Sequence, residues 1–308
     1  MTATGTVSAA DTASAAGTAS APILDARCCT MQFGGLCALK EFSLAVGKGD
    51  LKGLIGPNGA GKTTAFNVLT GVYPPSSGDV VVDGVRVNGR LPHQINRAGL
   101  ARTFQNIRLF KELSALDNVK VGCLSDMTPF FPRSRVEALR KEGKVALAFS
   151  LEAWGNYLDW WRAFLLTPGF LREEADIEER AHKLLDVMGL SHRADEEARN
   201  LPYGEQRRLE IARALATGPK VLLLDEPAAG MNTREKQDLM ALIRRLRDQM
   251  GLGILLIEHD MKLVMGICER ITVLDHGETI AVGTPEEVKR DPKVIEAYLG
   301  VESHELRA

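Results

Sequence analysis

Gly56-Pro57-Asn58-Gly59-Ala60-Gly61-Lys62-Thr63-Thr64 joins the apolar run Leu51-Lys52-Gly53-Leu54-Ile55 to the helix-forming run Thr64-Ala65-Phe66-Asn67-Val68-Leu69. The stretch satisfies G-x-x-x-x-G-K-[ST], and each fixed residue type has a chemical reason to stand at that spacing. Glycines let backbone N–H groups approach phosphate oxygens, Lys62 reaches the β- and γ-phosphates of a nucleotide, and Thr63 offers a hydroxyl to Mg²⁺. A buried strand enters this loop and a helix N-terminus, itself suited to anions, leaves it. All nine residues from Gly56 to Thr64 are therefore candidates for a phosphate cradle.

A second motif bears on the same chemistry. Val221-Leu222-Leu223-Leu224 reads as a buried strand that delivers Asp225 and Glu226 to its C-terminal end, where open α/β sheets keep their ligands. Asp225 there would hold Mg²⁺, and Glu226 would polarise the water that attacks a γ-phosphate. Adjacent acids at a strand end are common on protein surfaces; their pairing with the phosphate loop gives these two their meaning.

The elements around the two motifs set the fold class. Ile23 to Phe33 and Leu39 to Val46 read as strands, the second with Phe42, Leu44 and Val46 on one face. Val80 to Val87 reads as a hairpin turning at Asp83-Gly84, and Leu100 to Phe104 as a further strand. From Leu113 to about Arg199 strand signals give way to helical ones, with Ile177, Ala181, Leu184, Leu185 and Met188 at helical spacing before Gly189. A helix over Arg234–Met250 is expected to turn Leu239, Leu242, Ile243, Leu246 and Met250 inward. Gly253–Ile257 and Ile271–Leu274 read as strands, Thr284-Pro285-Glu286-Glu287 as a capping box, and Tyr298-Leu299-Gly300 as the end of the last helix. Short apolar strands alternating with helices predict an α/β protein: a mostly parallel sheet core with flanking antiparallel strands and an inserted helical subdomain.

Composition excludes several classes. With 38 basic against 40 acidic side chains and a formal charge of −2, the chain lacks the electrostatic footprint of a nucleic-acid binder. Cys28, Cys29, Cys37, Cys123 and Cys268 have no C-x-x-C spacing, so neither a disulfide framework nor a zinc site is expected. Residues 1–21 are almost all Ala, Thr, Ser and Gly and are expected to be a disordered tail. Glu152, Asp159 and Arg162 interrupt the most apolar window, Val145–Phe170, short of a membrane-spanning length, so a soluble chain is expected. His93, His182, His192, His276 and His304 show no ligand spacing.

Taken in chain order, these motifs resemble those of the ATP-binding cassette (ABC) ATPases, a family of P-loop NTPases, over about Ile23 to Gly300. Leu201-Pro202-Tyr203-Gly204-Glu205-Gln206-Arg207-Arg208 and the following Leu209–Leu215 are similar to the signature motif and its helix. By that resemblance Gln105 is the glutamine that senses Mg²⁺ and the membrane partner, Ala228–Asn232 is the D-loop, and His259 is the switch histidine near the γ-phosphate. Phe33 sits where the family places an aromatic ring against adenine. The resemblance implies a domain over 22–300 with a helical subdomain at about 113–199 and a tail over 301–308. It also implies ATP and Mg²⁺ as ligands, with Thr63, Gln105 and Asp225 toward the metal and Glu226, His259 and Gln105 toward the chemistry.

In the family the signature helix end faces the phosphate loop of a second subunit, so ATP is sandwiched between two chains. Here Pro202 and Tyr203 replace the serine and first glycine of L-S-G-G-Q, and Gly204 remains as the expected contact. The tyrosine, the arginine pair, Pro227-Ala228-Ala229-Gly230 and Glu258–Ile267 look like one branch, the branched-chain amino acid importer ATPases. That branch implies transmembrane permease subunits, a second ATPase subunit and, indirectly, a periplasmic substrate-binding protein, with the chain on the cytoplasmic face of the membrane. A motor for another import or export complex and a soluble nucleotide-switched interaction protein are the alternatives. Trp154, Trp160 and Trp161 fall in the segment 125–172, which is read as an elongated helical hairpin with tryptophan in its core rather than as added membrane-facing surface.

Overall fold

The structure is a computed structural model that describes residues 21–124 and 167–305, with 147, 150, 158, 161 and 165 between them and side chains as far as Tyr298. Residues 1–20, Trp154 and Trp160 lie outside the described residues, and the readings of the tail and of the tryptophan segment with them.

Strands β1 (Leu24–Phe33) and β2 (Leu36–Val46) pair antiparallel with Leu24 opposite Val46. Phe42, Leu44 and Val46 are all buried, as their alternation requires. Strand β3 (Leu51–Ile55) runs into the phosphate loop, and α1 (Lys62–Leu69) leaves it. Next come β4 (Ser77–Val82) and β5 (Val85–Arg86), joined by Asp83 (φ 49°) and Gly84 (φ 74°), the two left-handed residues that a tight hairpin turn needs. Pairing of β1 with β4 completes a four-stranded antiparallel sheet in the order β2-β1-β4-β5.

The remaining elements are α2 (Pro92–Arg97), β6 (Leu100–Arg102), α3 (Ala115–Cys123), α4 (Pro168–Val187), α5 (Tyr203–Ala216) and β7 (Val221–Asp225). They are followed by α6 (Thr233–Met250), β8 (Gly253–Ile257), α7 (Met261–Ile267), β9 (Arg270–Asp275), β10 (Glu278–Gly283), α8 (Pro285–Arg290) and α9 (Pro292–Glu305). The second sheet has the order β10-β9-β3-β8-β7-β6 and is parallel except at its β9–β10 hairpin.

Alternation along β7 divides the core. Val221 and Leu223 pack with Phe42, Phe66 and the antiparallel sheet, whereas Leu222 and Leu224 pack with Leu209, Ile243 and the helices. Strands buried on both faces read as continuous apolar runs for this reason. The layered arrangement leaves the loops after β3, β6, β7 and β8 together at one end of the parallel sheet.

Two elements differ from the sequence reading. Met250 is 44% exposed rather than inward, because it is the last residue of α6 before Gly251 (φ 62°) turns the chain. Helix α9 continues through Gly300 to Glu305; one helical glycine costs only about 0.5–1 kcal/mol and need not end a helix.

Candidate nucleotide and hydrolysis site

The phosphate loop closes on its own lysine. Lys62 Nζ donates to the carbonyls of Gly56 at 2.7 Å and Pro57 at 2.8 Å. Burial depresses its pKa, and the nearby carboxylates of Glu226 and Asp225 pull it back up. Gly56 adopts φ 153°, and a Cβ there would lie 2.1 Å from the Leu274 carbonyl of β9; only glycine fits so close to that strand. A Cβ on Gly59 (φ 80°), by contrast, would meet nothing within 4 Å, so the loop backbone there faces open space that a phosphate can enter.

That space is a cleft of about 610 Å³ lined by Asn58–Thr64 and, among others, Phe33, Gln105, Glu226 and His259. The structure thus brings together candidates from five separate stretches of chain. Phe33 is 41% exposed at the cleft, and Tyr73 meets its ring edge-on with centroids 5.2 Å apart, an arrangement that steadies an aromatic face for stacking.

Glu226 is the centre of the polar end. Gln105 Nε2 donates to its Oε2 at 2.9 Å, and His259 Nε2 lies 2.5 Å from its Oε1. The Glu226 backbone sits at φ 47°, a left-handed conformation rare for a non-glycine residue. Its N–H donates to the carbonyl of Ile257, the last residue of β8, and so the turn projects its side chain over the strand ends. A carboxylate fixed by two side chains beside a phosphate cradle is placed to take a proton from water in the cleft.

Asp225 and Gly204 are placed differently. Asp225 Oδ2 forms a 2.7 Å ion pair with Arg102, and both side chains are buried. Arg102 also donates to Asn67 Oδ1 at 2.7 Å, which ties β6, β7 and α1 together. Gly204, in the first turn of α5, faces Glu235 and does not line the cleft of its own chain. The groups that face the cleft, Thr63, Gln105 and Glu226, offer oxygen donors, the set that suits Mg²⁺ bound jointly with substrate phosphates. Among the described residues no cluster of His, Cys, Asp and Glu forms a separate metal site, and the five cysteines form no disulfide.

Sequence reasoning missed Arg102, Glu258 and Tyr298. Glu258 is buried and accepts from the Ala228 N–H at 2.7 Å; burial raises its pKa. Burial pushes the pKa of the Tyr298 hydroxyl up to about 12, against the lowering effect of the Gly56 backbone beside it. Only the position of Glu258 beside His259 gave any local signal for these three.

Known proteins match this layout. The ABC transporter family model matches residues 39–229, and that of the branched-chain amino acid ATP-binding cassette transporter C-terminal region matches residues 278–304. The chain is 43% identical, over 91% of its length and 99% of the relative's, to the high-affinity branched-chain amino acid transport ATP-binding protein BraF of Pseudomonas aeruginosa. It is 42% identical over the same shares to the corresponding protein LivG of Escherichia coli. Among solved structures, the ADP conformation of an ATP-binding cassette of an ABC transporter superposes with a TM-score of 0.71 at 29% identity, covering 91% of this chain and 100% of the other. In motif order, sheet topology and family match alike, the chain belongs to the ABC transporter family of ATP-binding cassettes.

Proposed function

We propose that this chain is the ATP-hydrolysing motor subunit of a membrane importer for branched-chain or related amino acids. The observation that carries the reading is Glu226 held between Gln105 and His259 at the edge of a cleft walled by the phosphate loop. The adenine would stack on Phe33, and the loop N–H groups with Lys62 would hold the phosphates. Thr63 and Gln105 would hold Mg²⁺, which when bound would offset negative charge on the phosphates, and Asp225 would join them only on leaving its ion pair with Arg102. Glu226 accepts a proton as the water oxygen bonds to the γ-phosphorus and the bond to the ADP oxygen breaks. His259 and Gln105 orient the carboxylate for that transfer.

Partners follow from what one chain lacks. Tyr203 and Gly204 at the N-terminus of α5 do not line the cleft of their own chain, so their N–H groups and the helix dipole would reach a nucleotide on a second cassette, which ATP would then hold closed. No described helix is long and apolar enough to cross a membrane, and transmembrane permease subunits would supply the path, with this chain on the cytoplasmic face and a periplasmic binding protein delivering the substrate. The substrate class rests on the names of the relatives.

The test is purification of Glu226→Gln with Mg·ATP from detergent-solubilised native membranes, with co-purifying chains identified by mass spectrometry. Multi-spanning permease chains are expected, and these, recombined with the wild-type chain, are expected to support ATP-dependent uptake of labelled leucine in vesicles. Recovery of soluble partners alone would overturn the transport reading.

A further inference from the structure

Helix α5 carries a charged pair that is out of place for a solvated surface helix. Arg207 is fully buried and Glu210 nearly so, and Arg207 Nη1 meets Glu210 Oε2 at 2.7 Å. Taking two charges out of water is costly unless their remaining donors and acceptors are satisfied. Here Arg207 Nε has no partner among the described residues, and the groups that meet Nη1, Nη2 and the other Glu210 oxygen come from the backbone of one loop. Arg207 Nη1 donates to the Phe104 carbonyl at 2.6 Å and Nη2 to the Gln105 carbonyl at 2.6 Å. In the other direction, Glu210 Oε1 accepts from the N–H groups of Phe104 at 3.4 Å and Arg108 at 3.3 Å. Arg213, in the last turn of the same helix, donates to the Arg108 carbonyl. The loop 104–108 is therefore gripped at both ends by side chains of a helix about a hundred residues further along the chain.

We propose that Arg207 and Glu210 are positioning residues that make the loop bearing Gln105 and the N-terminus of α5 move as one body. The proposal rests on the ATPase reading above. One end of this body carries the Gln105 amide that touches Glu226. The other end carries Tyr203 and Gly204, one helical turn from Arg207, whose Nη2 also reaches the Tyr203 hydroxyl at 3.4 Å. A shift of Gln105 on nucleotide binding is transmitted through two carbonyls and a guanidinium to the helix end that faces the second cassette. Conversely, a displaced helix end withdraws Gln105 from Glu226. A lysine at 207 keeps the charge but presents a single ammonium in place of the planar fork, so it cannot reproduce the paired grip on adjacent carbonyls.

Hydrogen–deuterium exchange on the intact wild-type chain tests the coupling without any substitution, with and without Mg²⁺ and a non-hydrolysable ATP analogue. Protection over 104–108 and over 203–207 is expected to change together on binding. Nucleotide-dependent protection over 56–64 with a change in only one of the other two segments would overturn the clamp and leave the ATPase reading standing. No protection over 56–64 would instead overturn the ATPase reading itself, and the clamp's role with it. A variant gives the kinetic arm. Arg207→Ala alone strands a buried carboxylate, so the paired change Arg207→Met with Glu210→Gln, which removes both charges, is compared with Arg207→Lys. Both are expected to keep the affinity for the ATP analogue within about twofold while kcat falls by about 10- to 100-fold, the scale of a small misplacement of a catalytic group. Unchanged kcat in a folded paired variant would contradict the proposal.

Discussion

Gln105 and Glu226 lie 121 positions apart in the chain, yet Gln105 Nε2 stands 2.9 Å from Glu226 Oε2. The loop after β6 thereby touches the carboxylate that follows β7, and the two neighbouring parallel strands set the distance. Gln105→Ala removes this contact and leaves the phosphate loop unaltered. We expect nucleotide affinity to stay within a few-fold and kcat to fall by up to about 100-fold, read as a split between kcat and Kd in steady-state turnover and calorimetric titration. Equal loss of both would assign Gln105 to binding instead.

Lys62 is held by two loop carbonyls with its charge desolvated. A phosphate offers that ammonium a better partner, and a charge-assisted hydrogen bond is worth about 1.5–3 kcal/mol. Lys62→Ala is therefore expected to weaken ATP binding by about 10- to 100-fold or more, measured by titration calorimetry, with a melting temperature near that of the wild type.

Glu258 lends the protein a pH dependence whose sign can be worked out. Its folded pKa is raised above 4.5 by burial, so between the unfolded and folded values the native state binds the extra proton. Stability contributed by this group is then present at low pH and lost as pH rises through the folded pKa. Glu258→Gln keeps an oxygen for the Ala228 N–H and removes the titration. Denaturant melts across pH 4–8 should show a flatter stability profile for the variant above pH 4.5, and an unchanged profile would show that Glu258 does not titrate in this way.

Local chemistry was legible in the sequence, and long-range pairing was not. The phosphate loop, the strand ending in Asp225-Glu226 and the Asp83-Gly84 turn each declare themselves within a few residues, because the motif and the geometry share the same short segment. The side chains that hold those motifs in place come from far away in the chain. Arg102 meets Asp225 across 123 positions, Arg207 meets Phe104 across 103, and Glu258 meets Ala228 across 30. Nothing near Arg207 marks it as buried, since an arginine in a polar helix stretch reads as solvated. The signature helix was placed correctly, but its second role as the anchor of the Gln105 loop follows only from the packing of α5 against that loop. Met250 erred for the opposite reason: its spacing matched the buried face of α6, and the helix ran past the edge of the core.

The most direct measurement is the single-turnover rate of Mg·ATP hydrolysis by Glu226→Gln beside the wild-type chain, with nucleotide affinity measured on the same preparations. Removal of the proton acceptor while the cleft is retained predicts hydrolysis slower by about 10²- to 10⁴-fold with affinity within a few-fold. Hydrolysis at the wild-type rate would contradict the assignment of Glu226, and with it the account of how this site works.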